Sequence, residues 1–325
     1  MPTGVNIVKN TRSNEIKSVE IITLEENYID LVAMDDSEVV TRAIAIDGNE
    51  MSRSTILAEH GFSAFVRTTD VNEARSMIFD FGYSEDVVIR NAMALGVDFQ
   101  EIEAAALSHG HIDHFGGLEA VGEKIGKKDL KLIVHPAAFR KHRFFVSGNG
   151  RKIDLPCLEW SSVKEAGFSS IETKDPYVML GGNVLFLGEI PRNTPFEKGT
   201  PYVFFKKDGK EIWDPIEDDS ALVMHLQGKG LVVLSGCAHS GIINTVKYAM
   251  EITGIQKVHA VIGGFHLTGP AFEPIIEKTV EALKGIAPKY VVPMHCTGRK
   301  AIQTFEREMP EAFVLNMSGT KLTFM

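Results

Sequence analysis

The alternation of apolar and polar positions predicts a chain in which strands and helices are mixed from end to end. Short apolar runs predict strands, and apolar residues that recur every three or four positions predict helices. The predicted strands cover residues 18–24, 62–68, 76–81, 102–108, 130–136, 258–264, 290–294 and 312–319, with a pair around a glycine-rich turn in each of 177–189 and 221–236. The predicted helices cover residues 84–96, 242–254, 273–285 and 297–308. This mixture indicates an α/β protein.

The order of these elements predicts how they pack. Hairpins in the middle of the chain, with alternating helices and strands on both flanks, indicate mixed sheets with helices on their outer faces. Two segments, residues 139–176 and 191–219, lack clear periodicity and are rich in polar and aromatic residues. We interpret them as insertions or lids over a site. Since neither segment shows the boundaries of an independent unit, we expect residues 1–325 to form a single domain.

Composition and charge narrow the class of protein. The chain has 325 residues, of which 44% are hydrophobic and 24% are charged, as is typical of a globular protein in water. The net charge of -9, from 34 basic and 43 acidic residues, argues against a nucleic-acid binder, which needs a basic face. An anionic small-molecule substrate is not excluded, because a local basic pocket can lie on an acidic protein.

The sequence shows neither a run typical of a membrane span nor a segment typical of a secretory signal. No apolar run approaches the ~20 residues that span a bilayer, and the first residues contain no apolar segment of the kind found in secretory signals. The cysteines Cys157, Cys237 and Cys296 are odd in number and have no CxxC spacing, so we expect no disulfide framework. We therefore expect a cytoplasmic protein with no membrane partner.

The strongest chemical signal follows the predicted strand at residues 102–108. Within six residues, the chain carries His109, His111, Asp113 and His114. Neutral imidazole and carboxylate are ligands for zinc, iron or manganese. Interleaved glycines let the backbone fold tightly enough for these side chains to converge. With His109 and His111 on one side of a turn, and Asp113 and His114 at a neighbouring point, we expect two adjacent metal positions.

The stretch HGHIDH in this cluster resembles the HxHxDH signature of the metallo-β-lactamase superfamily. Further motifs resemble one subgroup of it, labelled 7,8-dihydropterin-6-methyl-4-(β-D-ribofuranosyl)-aminobenzene-5′-phosphate synthase: AEHGFSAFV, FDFGYS, NAMALGVDFQEI, GEIPR, SGCAHSGI, GGFHL and PMHCTG. The resemblance implies a metallo-β-lactamase-like fold, an αββα four-layer sandwich with insertions. It also implies two divalent metal ions, zinc first, with iron or manganese as alternatives, and a role for Asp80 in supporting the metal loop.

The resemblance implies that the remaining metal ligands follow later strands. His295 matches the last ligand histidine of the superfamily. Where many members carry a bridging aspartate, this chain has Cys237, with His239 two residues further on. We favour His239 as the ligand and keep the Cys237 thiolate as the alternative. Glu189 stands where a ligand histidine is usual, and it could be a ligand, a general base or a partner that orients a histidine.

Candidates for catalysis and substrate binding lie close to these ligands in the sequence. The candidate catalytic residues are Asp113, Glu189 and His266, the last of which follows a pair of glycines that allow a ligand to approach the backbone. Arg192 and Arg299 follow proposed ligands by three and four residues, and either could clamp a phosphate through bidentate hydrogen bonds.

These features predict a binuclear metal-dependent hydrolase or transferase that acts on a phosphorylated or otherwise anionic small molecule. Two divalent metals can activate water and stabilise charge on an attacked centre. The subgroup label implies a pterin-related substrate or a synthase reaction. Aromatic side chains in the two segments could stack on such a ring, although core packing is their more common role: Phe144, Phe145, Trp160, Phe204, Phe205 and Trp213.

Two other functions stay open at this point. A di-iron redox protein would keep the fold, but that branch of the superfamily has Glu where this chain has His111, and a partner flavin domain. A non-catalytic binding protein with a degenerate site is favoured by the missing bridging aspartate and opposed by the intact HGHIDH. The oligomeric state, including a homo-oligomer, is not fixed by the sequence.

Overall fold

The computed structural model describes residues 13–44, 46–47, 50–51, 55–71 and 73–325. The strands are β1 Glu15–Ile16, β2 Ser18–Glu25, β3 Val40–Thr41, β4 Ile46–Asp47, β5 Glu50–Met51, β6 Ser63–Thr69, β7 Ala74–Phe79, β8 Ile102–Ala106, β9 Leu130–Val134, β10 Arg143–Val146, β11 Lys152–Asp154, β12 Phe168–Glu172, β13 Tyr177–Met179, β14 Val184–Phe186, β15 Val203–Lys207, β16 Lys210–Trp213, β17 Ala221–Leu226, β18 Gly230–Ser235, β19 Val258–Gly264, β20 Tyr290–Met294 and β21 Lys321–Phe324. The helices are α1 Val87–Ala94, α2 Ile112–Phe115, α3 Leu118–Ile125, α4 Trp160–Glu165, α5 Ile242–Thr253, α6 Ile276–Ile286 and α7 Arg299–Glu308. None of the described helices is long and apolar enough to cross a membrane.

Two large sheets lie face to face. The first has the strand order β12-β9-β8-β7-β6-β2-β21-β3. The second has the order β13-β14-β17-β18-β19-β20, and β1 pairs with β17. Side chains from the facing sides of both sheets form one apolar core, in which Val66 and Phe79 of the first sheet join Leu222 and Ile262 of the second. The centre of the molecule is therefore a sheet-on-sheet interface.

Helices cover the outer face of each sheet. Val121 of α3 shares a second apolar core with Ile78 of the first sheet, and α1 and α4 contribute to the same core. Val246 of α5 shares a third core with Val233 of the second sheet, together with side chains from α6 and α7. The layer order of helix, sheet, sheet and helix confirms the predicted αββα sandwich.

The strand β17 shows how the sequence produces this layering. Leu222, Met224 and Leu226 lie in the core between the sheets, whereas Ala221 and Val223 lie in the core under the helices. Successive side chains of a strand point to opposite faces. Because both faces of this sheet are covered, the strand is apolar at nearly every position, which is why it reads as a continuous apolar run.

The parallel strands bring the functional loops to one edge of the sandwich. Strands β7, β8 and β9 run parallel in the first sheet, and β18, β19 and β20 run parallel in the second. Open α/β sheets bind ligands at the carboxyl ends of their strands. We therefore expect a functional site among the segments that follow β8, β18, β19 and β20.

A smaller sheet is built from both segments predicted as insertions. Its order is β11-β10-β15-β16, so residues 139–176 and 191–219 pair with each other. Phe144 of β10 stacks on Phe204 of β15, with ring centroids 5.8 Å apart. The first segment also contains β12, which pairs with β9 and belongs to the first large sheet. That strand is hidden in the sequence because it lies at a sheet edge and is half polar; a role of these segments as lids stays a prediction.

One predicted strand is wrong. Residues 312–319 contain only an isolated bridge between Phe313 and Val291, and the last strand is instead β21, which pairs with β2. The chain crosses here from the second sheet to the first, because Val314 N–H donates to the carbonyl of Val291 and Gly319 N–H donates to the carbonyl of Thr23. The apolar residues of this run pack against the core without forming a ladder.

Candidate metal centre

Asp80 fixes the loop that carries the HGHIDH stretch. Its carboxylate accepts the Ser108 N–H at 2.6 Å and the Ser108 hydroxyl at 2.7 Å. It also lies 2.6 Å from His114 Nδ1. Asp80 is fully buried directly after β7 and has a positive φ of 59°. One carboxylate therefore holds the start of the loop and orients one of its histidine rings.

Three histidines, His109, His111 and His239, form what we call the histidine group. His109 Nε2 lies 3.0 Å from His111 Nδ1 and 3.1 Å from His239 Nε2. Burial lowers the pKa of His109 and of His239, and it lowers the pKa of His111 to about 4. All three imidazoles are therefore neutral at pH 7, which is the form that binds metal ions.

Asp113, His114, Cys237 and His295 form a second set, which we call the mixed group. Their ligand atoms all lie within 4.8 Å of one another. His114 Nε2 is 3.1 Å from Cys237 Sγ, and His295 Nε2 is 3.3 Å from Asp113 Oδ2. Burial would raise the pKa of Asp113, but His114 and His295 outweigh burial and hold that pKa well below its usual range. A carboxylate, two imidazoles and a thiol are a donor set suited to zinc or iron.

Buried nitrogen atoms test whether a metal fits these groups. Within the described residues, His111 Nε2, His295 Nδ1 and His295 Nε2 are buried and have no hydrogen-bond partner. A buried polar atom without a partner costs about 1–3 kcal/mol, and such atoms are rare in folded proteins. Their concentration around two converging donor sets is what a metal-binding centre requires, so the residues present fit a pair of divalent metals.

Both side chains that the sequence left as alternatives reach the centre. His239 belongs to the histidine group and Cys237 to the mixed group, and the two also form a third set with His266. The His239 and His266 rings lie 4.2 Å apart between centroids. The close approach of these loops depends on Gly264, since a Cβ there would lie 2.6 Å from the sulfur of Cys296.

Glu189 is not brought to either group. Its carboxylate lies 3.4 Å from Lys174 Nζ and 3.5 Å from His135 Nε2. Its N–H donates to the carbonyl of Lys174 at 2.8 Å, so the chain after β14 turns toward the loop that follows β12. Glu189 therefore lies outside both donor groups, and its role as a ligand, a general base or a partner that orients a histidine stays a prediction.

The two arginines predicted to clamp a phosphate lie outside the donor groups as well. Arg192 donates to the backbone carbonyls of Pro215 and Ile216, the second at 3.0 Å, and so holds the loop before β17. Arg299 is exposed at the first position of α7. Closeness in sequence to a ligand does not decide the direction of a long side chain.

A cavity of about 460 Å³ opens onto both donor groups. Its polar lining includes His111, Asp113 and His295, and its apolar lining includes Phe145 and Val203 from the small sheet. Of the six aromatic side chains proposed to stack on a substrate ring, Phe145 is the one that lines this cavity. The cavity therefore combines side chains that can bind a metal with apolar side chains.

His60 belongs to the cavity, although the sequence pattern does not single it out. Its ring lies against His295, with centroids 5.1 Å apart, and its Nε2 is 3.7 Å from Asp113 Oδ2. The side chain is 65% exposed, so it can meet a bound molecule. The sequence does contain one indication of its role, because this histidine lies within the motif AEHGFSAFV. The backbone of its neighbour His295 is held by the buried Glu26, which accepts the N–H of His295 at 2.9 Å.

Two adjacent buried carboxylates support the loops that carry the donors. Asp218 accepts the Gly110 N–H and Asp219 accepts the Ser240 N–H, each at 2.8 Å. Arg143 of β10 is 2% exposed and donates to Asp218. Burial would raise the pKa of Asp218, but Arg143 outweighs burial and keeps it below its usual range. A buried ion pair thus ties the small sheet to the HGHIDH loop.

The chain is similar to known proteins in sequence and in fold. A family model described as "Metallo-beta-lactamase superfamily" matches residues 58–241. A curated relative from Methanocaldococcus jannaschii, named 7,8-dihydropterin-6-methyl-4-(beta-D-ribofuranosyl)-aminobenzene-5′-phosphate synthase, is 31% identical over 279 residues, which are 83% of this chain and 92% of that protein. An uncharacterized protein of the same organism is 34% identical over 248 residues, 75% of this chain and 86% of that protein.

A solved structure shares the fold over nearly the whole chain. The crystal structure of Tm1679, described as a metal-dependent hydrolase of the beta-lactamase superfamily, has a TM-score of 0.69 and 27% sequence identity. The match covers 94% of this chain and 98% of that chain. The matched residues 58–241 include the complete histidine group, whereas His266 and His295 lie beyond them.

Proposed function

Because the chain belongs to the metallo-β-lactamase superfamily, we propose that it is a binuclear metal-dependent hydrolase or transferase. Its substrate is a phosphorylated or otherwise anionic small molecule. The observation that carries the proposal is the pair of adjacent donor groups on the wall of one cavity. In this proposal the histidine group holds one divalent metal and the mixed group holds the other. Two such metals, when bound, activate water and stabilise charge on the attacked centre.

The donor sets support zinc as the metal. Neutral imidazoles are ligands for zinc, iron and manganese alike, so the histidine group does not discriminate. The mixed group adds the Cys237 thiol, and soft thiolate ligands favour zinc or iron over manganese. Iron is therefore the first alternative, and manganese the second.

The residues of the chain bind and position the substrate around these groups. The anionic part lies at the donor groups, where bound metals would balance its charge; Asp113 lies there between His114 and His295 as a candidate metal ligand. Phe145 lines the same cavity and limits the access of water. His60 and His266 line the same cavity and offer ring nitrogens for proton transfer within it.

The curated relative supports an anionic substrate that carries an aromatic part. The product in its name joins a dihydropterin to a ribofuranosyl-aminobenzene phosphate. A cavity whose lining combines metal-ligand side chains with apolar ones suits a molecule with a phosphate and an apolar part. We therefore place pterin-related phosphates first among the substrates to be tested.

The test combines metal analysis with a substrate panel. The purified protein should contain two metal ions per chain, and it should turn over members of a panel of phosphoesters, lactones and thioesters. His111→Ala removes one donor of the histidine group and should abolish turnover while the fold is kept. A protein that binds its full metal content and turns over no member of the panel would instead be a binding protein.

A further inference from the structure

A second pocket lies beside the cavity and shares two residues with it. It has a volume of about 260 Å³, and His239 and His266 line both spaces. The pocket lies between residues 196–201 of the second inserted segment and the loops that follow β18 and β19. None of the roles proposed above uses this space.

The walls of the second pocket are mainly apolar. They are formed by Phe196, Pro201, Phe265, Leu267, Phe272 and Ile275. Two charged residues also line it, Glu197 and Lys198. Both carboxylate oxygens of Glu197 are used, since they accept the N–H groups of Ile243 and Asn244 at 2.9 and 2.8 Å. Lys198 is exposed to solvent. The interior therefore offers contact area rather than a charged ligand site.

A row of rings runs from the donor groups into this pocket. The His239 and His266 rings are 4.2 Å apart, and the His266 and Phe272 rings are 4.6 Å apart at an angle of 85°. Aromatic rings prefer offset-stacked or edge-to-face contacts with other rings. A flat ring of a ligand in this pocket would lie beside the row and contact His266 and Phe272, which both line the pocket.

The pocket is held in shape by the chain itself. Gly241 has a φ of 96°, and a Cβ there would lie 2.2 Å from the Glu197 carboxyl carbon. Glu197 is fixed to the start of α5 by its hydrogen bonds from Ile243 and Asn244. These bonds hold residues 196–201 in position along one side of the pocket. Binding sites for small molecules are usually preformed apolar pockets with a few polar atoms.

Two polar atoms on the shared wall have no partner within the described part of the chain. They are Nδ1 of His239 and Nδ1 of His266, both buried. His239 contacts the histidine group through its other nitrogen, Nε2. A buried nitrogen without a partner points to a ligand that supplies one.

We propose that the second pocket is a subsite for a flat aromatic ring of the substrate, which thereby places the anionic group of the same molecule at the donor groups. The subsite rests on the proposed function, because the anionic group is assigned to the proposed metal centre. It makes Phe272 a specificity-determining residue and defines the substrate class as an anionic ester with an aromatic ring system.

The experiment compares two phosphonates that the enzyme cannot hydrolyse at their C–P bond. Naphthalen-2-ylmethylphosphonate carries the ring, and methylphosphonate does not. Calorimetry on the metal-loaded protein should show at least tenfold tighter binding of the ring-bearing compound. Phe272→Ala should reduce this ratio to threefold or less, without changing the metal content or the affinity for methylphosphonate.

Two further variants keep the test decisive. Ala271→Trp fills the pocket instead of emptying it and should also reduce the ratio, which covers the case in which Phe272→Ala fails to fold. Trp160→Ala removes an aromatic side chain of α4 that is 43% exposed and lines neither space, and it should leave the ratio unchanged. Equal binding of the two phosphonates to the wild type, or a ratio unchanged in both pocket variants, would overturn the subsite. If the purified protein bound no metal, that result would contradict the proposed function itself, and not only the subsite.

Discussion

Asp80 shows how much a single carboxylate contributes to the centre without being a donor in it. Its contacts to Ser108 and to His114 Nδ1 fix a loop and a ring at once. Partners that orient metal ligands typically account for about 10–100-fold in metal affinity. We therefore expect Asp80→Ala to weaken metal binding by about that factor, measured as metal retained in the presence of increasing chelator.

A matched variant separates this effect from a general loss of stability. Asp86 precedes α1, is exposed, and makes no side-chain hydrogen bond as its N-cap. Asp86→Ala should retain metal like the wild type at every chelator concentration. If Asp80→Ala also retained metal like the wild type, the role assigned to Asp80 would be wrong.

At the residue scale, the sequence predicts site residues that are concentrated in one motif. It does not predict contacts between residues that lie far apart in the chain. The HGHIDH residues, His239 and His295 converge as predicted, because strand ends of parallel strands share an edge. Arg143 and Asp218 meet only because the small sheet folds over the loop, and no local pattern shows this. The same limit applies to Glu189 and Arg192, because distant parts of the chain decide where their side chains point.

At the scale of elements, Glu197 joins the second inserted segment to α5 and makes that junction sensitive to pH. It is 4% exposed and accepts two N–H groups of the first turn of the helix. Burial raises its pKa from 4.5 to about 7. A raised pKa in the folded state stabilises the fold below the unfolded value, and this contribution is lost as the pH rises through about 7.

The variant Glu197→Gln tests this pH dependence, because an amide does not titrate in that range. One pKa unit corresponds to about 1.4 kcal/mol, so the ionisation of Glu197 costs the wild type about 3 kcal/mol. Between pH 5 and 8, the free energy of unfolding of the variant should therefore fall by about 2–3 kcal/mol less than that of the wild type. Urea unfolding at a series of pH values measures both, and parallel pH curves would contradict the prediction.

The predicted elements that match best are those with an unambiguous apolar pattern. The strand at 258–264 and the strand at 290–294 match β19 and β20 residue for residue. The strands β10, β11, β15 and β16 were not predicted, because much of their surface is exposed and their side chains mix charged with aromatic residues. Such strands are defined by their pairing partners more than by their own sequence.

At the scale of the whole molecule, the αββα sandwich follows from the resemblance and is confirmed, whereas the way the small sheet is attached could not be predicted. Arg143 provides this attachment. It is buried, contacts Asp214 at 2.7 Å and Asp218, and lies 3.4 Å from the carbonyl of Gly110. The sheet that covers the cavity and the loop that carries the donors are therefore mechanically linked.

Arg143→Met should reveal this link in two measurements. Removal of one partner of a buried ion pair leaves an uncompensated charge and typically costs about 3–5 kcal/mol. We expect a loss of that size in the free energy of unfolding, together with weaker metal retention, because Asp218 no longer holds Gly110 in place. The double variant Arg143→Met, Asp218→Asn removes the charges of Arg143 and Asp218 and should recover part of the stability, because the remaining carboxylate, Asp214, keeps its pairing with Arg140.

The control for this experiment lies in the same sheet. Lys152 of β11 pairs with Glu211 of β16, and both side chains are exposed to solvent. Exposed pairs contribute about 0–1 kcal/mol, so Lys152→Met should leave stability and metal retention nearly unchanged. If Arg143→Met lost stability but retained metal as firmly as the wild type, the ion pair would stabilise the sheet without positioning the donors. A parallel loss of stability and of metal retention would instead show that the covering sheet and the donor loop act as one unit.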